Sequence, residues 1–465
     1  MLVAGVDSST QSCKVVVCSA EDGKILQHSR IPHPDGTEVS AGEWWRALRS
    51  ATDGLLDGVS AIAVAGQQHG LVTLDARGTP VRPALLWNDT RSADAADALV
   101  DELGGPQPWA EAVGSVPVAA HTVAKLRWLA DHEPQHADRA ARVLLPHDYL
   151  TWRLLGGVAD IEPVTDRGDA SGTGYWSPAT GEYRTDLVTL ALRDRLPELP
   201  RVLGPAEPAG HTPAGMLVAP GTGDNAAAAL GAGIGDGDVV VSLGTSGTVF
   251  TRATRPTADA SGAINGFADA TGEFLPLVCT LNAARVLERT AALLGVAIGE
   301  LEPLARQSVP GSAGLTMLPY LTGERTPNLP DATASLHGLT PDTMAPQHVA
   351  RAGVEGMLCN LADALDRLRA DGLRPRRVLL IGGAAASPLV AETAAEIFGV
   401  TVAVPATQEY VALGAARQAA WTLSGAAEPP PWPSPEAPEF TAPEGHCGAD
   451  IRARYDRVRQ HMYGD

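Results

Sequence analysis

An α/β chain made of two similar halves is the fold class this sequence predicts, and three observations predict it. Strand-like runs such as AIAVAG (61–66) and RVLLIGG (377–383) alternate with helix-like stretches such as 121–131, the pattern of layered α/β architectures. Two hairpins with Ser, Thr and Gly at their tips recur half a chain apart, since laying Asp7-Ser8-Ser9-Thr10 over Ser242-Leu243-Gly244-Thr245 gives an offset of 235. The 465 residues also exceed one domain of roughly 100–200 residues. A chance likeness of the hairpins stays open, because such residues dominate turns generally.

Taken in order, LVAGVD (2–7) and KVVVC (14–18) read as the strands of the first hairpin. AIAVAG, LVTLD (71–75) and ALLWND (84–89) read as further strands, followed by the helix over 121–131. Residues 216–231, MLVAPGTGDNAAAALG, predict a strand, a tight glycine turn and an alanine-rich helix. VVVSLGTSGTVF (239–250) is the second hairpin. A helix over 346–370 carries Leu358, Leu361, Leu365 and Leu368 on one face. After RVLLIGG, the run SPLVAETAAEIFG (387–399) predicts a helix with Ser387 as N-cap and Pro388 at its first position. TVAVP (401–405) and a helix over 411–423 form a last unit. The proline-dense stretch 428–438 reads as an extended surface connector before a closing helix over 448–462. The domains are expected at 1–234 and 235–465, with a hinge near the glycines of 231–237.

Composition excludes several classes. Net charge is −19 with no basic patch, so neither nucleic acid nor an anionic membrane is an expected partner. No apolar run approaches the roughly 20 residues that span a bilayer. The opening MLVAGVDSST lacks a basic segment and a cleavage site, so a cytoplasmic address is expected. Cys13, Cys18, Cys279, Cys359 and Cys447 are odd in number and scattered, which predicts buried free thiols. The lysines are Lys14, Lys24 and Lys125, and no GxxxxGK[ST] occurs, so a P-loop is excluded.

Residues 221–226, GTGDNA, match a dinucleotide fingerprint, but Asp224 would set a negative charge where the pyrophosphate belongs, and no acidic residue ends the following strand. An Asp at a helix start is ordinarily a cap. Here the flanking glycines leave room for a ligand and the helix dipole is expected to keep the carboxylate ionised, which makes Asp224 a general-base candidate. The hairpin tips can donate amides and hydroxyls to phosphate without lysine, Asp7 at a strand end can hold Mg²⁺ through water, and Gly382-Gly383 lets a planar or phosphate group approach the backbone. His69, between amide side chains and Gly70 at the end of AIAVAG, sits where open α/β sheets bind ligands. Trp44, Trp45 and Trp87 are expected in core or interdomain packing.

The order of two phosphate hairpins and a GG turn resembles the actin/Hsp70/sugar-kinase ATPase superfamily, and within it the FGGY carbohydrate kinases. The residues that carry the likeness are DSSTQSCK (7–14), GQQHG (66–70), WNDTR (87–91), PHDYL (146–150), GDNAA (223–227), SLGTSGT (242–248), LPYLTGERTP (318–327) and IGG (381–383), in order over nearly the whole chain. The resemblance implies two actin-like, ribonuclease H-like domains with an ATP cleft between them, the first on the sugar side and the second on the nucleotide side. It implies ATP and Mg²⁺ as cofactors and phosphorylation of a small sugar; GQQHG is similar to the motif that separates ketopentose kinases from glycerol kinases, so D-xylulose is the expected substrate. It makes Asp224 the proton acceptor, Gln68, His69 and Asn225 sugar contacts, and Asp7 essential through the metal. Thr10, Ser12, Thr245, Gly382 and Gly383 fall on the nucleotide side. No lysine or arginine is evident for the transferring group, so catalysis is expected to rest on positioning and closure. Two departures stand out: GGAAAS (382–387) lacks a third glycine, and the charged loop 165–173 has no assigned role. An FGGY kinase for another polyol or sugar, and a superfamily ATPase acting on protein partners, are the alternatives. A homodimer is left open.

Overall fold

The computed structural model describes residues 1–434 and 436–464, so Pro435 of the expected connector lies outside the described residues. Two units emerge: Met1–Gly233 with Ala253–Leu275 and Glu409–Ser434, and Ile234–Arg252 with Pro276–Gln408 and residues 436–464.

In the first unit, β1 (Leu2–Ser8), β2 (Ser12–Ser19) and β3 (Ile25–Pro32) form an antiparallel meander, and β4 (Val59–Gly66) lies parallel to β1 on its other side. The short strand Leu217–Val218 pairs parallel to β4. The inner strands are nearly continuous apolar runs because both faces are covered. On one face Val6, Val15, Val17, Ile62 and Val64 pack with Trp44 and Leu48 of the helix Ala41–Thr52. On the other, Val3, Val16, Ala61 and Ala63 meet Ala412, Ala415, Ala416 and Ala419 of the helix Tyr410–Ser424. That helix approaches backbone to backbone. A Cβ at Gly5 would stand 1.9 Å from the Ala412 carbonyl oxygen, and one at Gly414 1.8 Å from that of Ala227 in the helix Asp224–Ala232.

The second unit repeats this connectivity. β5 (Asp238–Leu243) pairs antiparallel with β6 (Gly247–Thr251), β6 with β7 (Phe274–Thr280), and β8 (Arg377–Ile381) lies parallel to β5, followed by β9 (Thr401–Ala403). The first hairpin turns between Ser8 and Ser12 and the second between Leu243 and Gly247, the same offset of 235. Their registers differ by one residue, since Ser8 pairs with Cys13 whereas Leu243 pairs with Gly247. The helix Pro346–Ala370 buries Leu358, Leu361, Leu365 and Leu368 as the spacing predicts. Ser387 caps the helix Pro388–Phe398 by accepting from the Val390 amide.

Some expectations are corrected. LVTLD and ALLWND yield only Val72–Leu74 and Ala84–Leu85, which pair in separate two-stranded ladders outside the main sheet. Of the free cysteines, Cys279 and Cys447 are only partly buried. Trp44 is buried, but Trp87 is 37% exposed and is not core packing. Residues 429–434 have no regular structure, and there Trp432 donates to the Ala20 carbonyl at 3.1 Å. The closing helix runs Gly448–Tyr463. Among the described residues no helix is long and apolar enough to cross a membrane.

Candidate active site

Three strand ends meet at one edge of the first sheet. Ser8 ends β1 opposite Gly66, and Gly223 of the strand Thr222–Gly223 also pairs with Gly66, all three strands running parallel. The residues that follow are therefore gathered at the carboxyl ends of the strands, the usual place for a ligand in such sheets.

Asp224 opens its helix as the first helical residue, with Gly223 in the N-cap position, so it is not the cap. Its carboxylate accepts from Asn225 Nδ2 at 2.9 Å, and the same amide reaches Gln68 Oε1 at 3.1 Å. A Cβ on Gly223 would stand 2.8 Å from Gln68, so the bare glycine is what lets Gln68 reach this cluster. Burial first, then the charges of Asp7 and Asp169, push the Asp224 carboxyl up to about 7. The expectation that the helix dipole keeps it ionised is thus corrected: desolvation and like charge outweigh a dipole worth typically under about 1 kcal/mol.

Asp7 is buried at the end of β1, and burial raises its carboxyl to about 6. Lys14 lies across the hairpin with Nζ 3.5 Å from Asp7 Oδ2 and 2.7 Å from Glu409, so a lysine does stand at this centre. Asp7 Oδ1 is buried with no hydrogen-bond partner. A hard, buried carboxylate oxygen with an unused lone pair fits a magnesium ion or a water bound to one.

His69 has a left-handed backbone with φ 68°. Its Nδ1 is 2.6 Å from the Gly172 carbonyl oxygen, which can only accept, so Nδ1 carries a proton and donates it there. The rings of His121 and Phe267 flank it at 5.0 and 5.6 Å between centroids. Thr10 accepts from the Trp87 indole at 2.8 Å and donates to Gln67 at 3.4 Å, while Ser12 is buried at the start of β2.

Sequence reasoning missed a buried charge cluster beneath these residues. His147 Nδ1 is 2.6 Å from Asp169 and 3.2 Å from Asp148, and its Nε2 lies 4.0 Å from Asp166. Burial alone would lower the imidazole, but the three carboxylates overcome it and raise it to about 10, so His147 is cationic at neutral pH. The signal was in PHDYL and TDRGDASGT, where charged residues interrupt segments that are otherwise apolar or small. Asp166 accepts from Thr222 and from two amides of its own loop, and Asp169 pairs with His147, so the loop 165–173 supports the site from beneath.

In the second unit, the Thr245 backbone carbonyl accepts from the Ala283 amide at 3.2 Å, and Gly382 (φ 101°) passes so close to β5 that a Cβ would stand 2.5 Å from the Leu243 carbonyl oxygen. The short helix Gly383–Ala386 that follows lines a cavity of about 400 Å³ with Leu287, Ile298, Leu301 and Val354, and with Glu288, Glu302 and Ser387 as its polar members. Nothing stands within 4 Å of a Cβ built on Gly383, so that backbone is open to a ligand.

Residues 2–237 match the N-terminal domain of the FGGY family of carbohydrate kinases, and residues 239–423 match its C-terminal domain. The chain belongs to that family. FGGY relatives include the xylulose kinases of Streptomyces coelicolor and Streptomyces rubiginosus, 48% and 46% identical over 91% of this chain and 88% of theirs. The crystal structure of xylulose kinase from Bifidobacterium adolescentis superposes with a TM-score of 0.91 at 45% identity, covering 99% of both chains. This FGGY kinase is therefore a sugar-phosphorylating enzyme.

Proposed function

We propose that the protein transfers the γ-phosphoryl group of ATP to the 5-hydroxyl of D-xylulose, giving D-xylulose 5-phosphate and ADP. The observation that carries this reading is Asp224, a carboxyl raised to about 7 and hydrogen-bonded through Asn225 to Gln68. Such a group is half ionised near neutral pH, where a general base works best. As the sugar oxygen forms its bond to phosphorus and the bond to the β-phosphate oxygen breaks, the hydroxyl proton passes to Asp224. Gln68, Asn225 and His69 bind and orient the sugar hydroxyls.

Asp7 would hold Mg²⁺, which neutralises charge on the phosphates when bound. The cavity beside Gly383 suits a nucleoside by its size and its mostly apolar wall, and Thr10, Ser12, Thr245 and Gly382 complete the nucleotide side of this assignment. Residues 1–234 serve as the sugar-side domain and 235–465, with the closing helix, as the nucleotide-side domain, except that Ala253–Leu275 and Glu409–Ser434, with the first part of the connector 428–438, fold with the first unit. The enzyme is assigned to the cytoplasm, with small-molecule partners and a homodimer as the assembly to test. Identity of 48% to a xylulose kinase over most of both chains supports the choice of sugar. A coupled assay of ADP release across D-xylulose, L-ribulose, glycerol and gluconate tests it. D-xylulose is expected to give the highest kcat/KM, and a different best substrate overturns the sugar assignment.

A further inference from the structure

Asp166 holds two arms of the site at once. Its Oδ2 accepts from the Thr222 hydroxyl at 2.7 Å and from the Gly168 amide at 2.7 Å, and its Oδ1 accepts from the Asp169 amide at 2.9 Å. The first arm runs through Thr222, whose strand ends one residue before Asp224. The second runs through the helix Arg167–Ser171, which Asp166 caps and which delivers Gly172, the residue whose carbonyl accepts from His69 Nδ1. A helix cap needs only the two amide contacts; the bond from Thr222 is extra. Gly168 makes room for it, since a Cβ there would stand 2.6 Å from Thr222 Oγ1 and 2.9 Å from Asp166 Oδ2. The carboxylate is 2% exposed and uses both oxygens for these three bonds, a set that Ser or Asn, with one acceptor oxygen, does not reproduce.

We propose that Asp166, acting through Thr222 and through Gly172, is a positioning residue that sets the placement of the Asp224 carboxylate and of the His69 ring together, and so couples proton acceptance to sugar binding. His147, with its imidazole 4.0 Å away and bonded to Asp169, supplies the opposite charge that holds the hub in place. The proposal rests on the reading of Asp224 as the base and His69 as a sugar contact. Its physical content is that catalytic groups lose rate steeply when their supports loosen, a misplacement near 1 Å costing about 10²-fold.

The two arms make different demands, which steady-state kinetics with D-xylulose separates. Thr222→Val removes only the hydroxyl that orients the Asp224 strand, so kcat is expected to fall about 10- to 100-fold with the D-xylulose KM within about twofold of wild type. Thr222→Ser restores the donor and is expected to recover most of that loss. Asp166→Asn loosens both arms, so kcat falls and the D-xylulose KM rises together. If Thr222→Val does not fold, Thr222→Cys, with a weaker donor of similar shape, carries the same comparison. The proposal is overturned if Thr222→Val and Asp166→Asn lower only the melting temperature while kcat and KM stay at wild type, or if Thr222→Ser behaves like Thr222→Val. Asp224→Asn, measured alongside, separates the two readings. Loss of turnover there with an unaffected Thr222→Val sinks only the positioning role, whereas retained turnover sinks the base itself.

Discussion

Replacing Asp224 by Asn keeps the side chain's shape and its bond to Asn225 within reach, but removes the proton acceptor. Turnover is expected to fall about 10²- to 10⁴-fold while ATP binding persists, read by ADP release and nucleotide titration. The base must be ionised to act, and burial with Asp7 and Asp169 has lifted it to about 7, so kcat/KM is expected to rise with pH through a midpoint near 7. Asp169→Asn removes one of the charges that oppose ionisation, and its midpoint is expected to move to lower pH. An unmoved midpoint would assign the titration to another group. Asp7→Ala is expected to raise the Mg²⁺ concentration needed for half-maximal rate, because a buried oxygen with a spare lone pair is lost. A lowered melting temperature with unchanged Mg²⁺ dependence would leave Asp7 a structural residue.

At the scale of elements, the helix Tyr410–Ser424 presses on the base's own helix with no side chain between them at Gly414. Gly414→Ala puts a methyl where the Ala227 carbonyl stands, and is expected to cost about 1–3 kcal/mol in urea unfolding, with kcat reduced as Asp224 shifts. The sequence made much of this layer readable. Leucine spacing and Pro346 marked the long helix of the second unit, Ser387-Pro388 marked a helix start, and the offset of 235 located both hairpin turns. These are local signals, fixed by periodicity and turn chemistry. What was hidden depends on neighbours distant in the chain. Lys14 beside Glu409, His147 beside Asp166 and Asp169, and the raised Asp224 carboxyl all arise from residues that only folding brings together. Trp87 misled because aromatic residues are usually buried, whereas here its indole bonds Thr10 near the surface.

For the whole molecule, sugar selectivity is the property that distinguishes one sugar kinase from another. His69→Ala is expected to raise the D-xylulose KM and to narrow the preference over glycerol and L-ribulose, since a site built to bond hydroxyls rejects an analogue lacking them by up to ~10⁴-fold. Unchanged ranking and efficiencies would remove His69 from recognition. The same scale shows the chain returning late to its beginning, with Glu409–Ser434 joining the first unit. That return carries Trp421 and Trp432 with it, and the other seven of the nine tryptophans, Trp44 to Trp176, already lie in Met1–Gly233. The second unit therefore contributes nothing to tryptophan fluorescence. Tryptophan emission from this enzyme reports on one unit alone, and Trp87, partly exposed with its indole bonded to Thr10, is the fluorophore placed beside a residue assigned to the nucleotide.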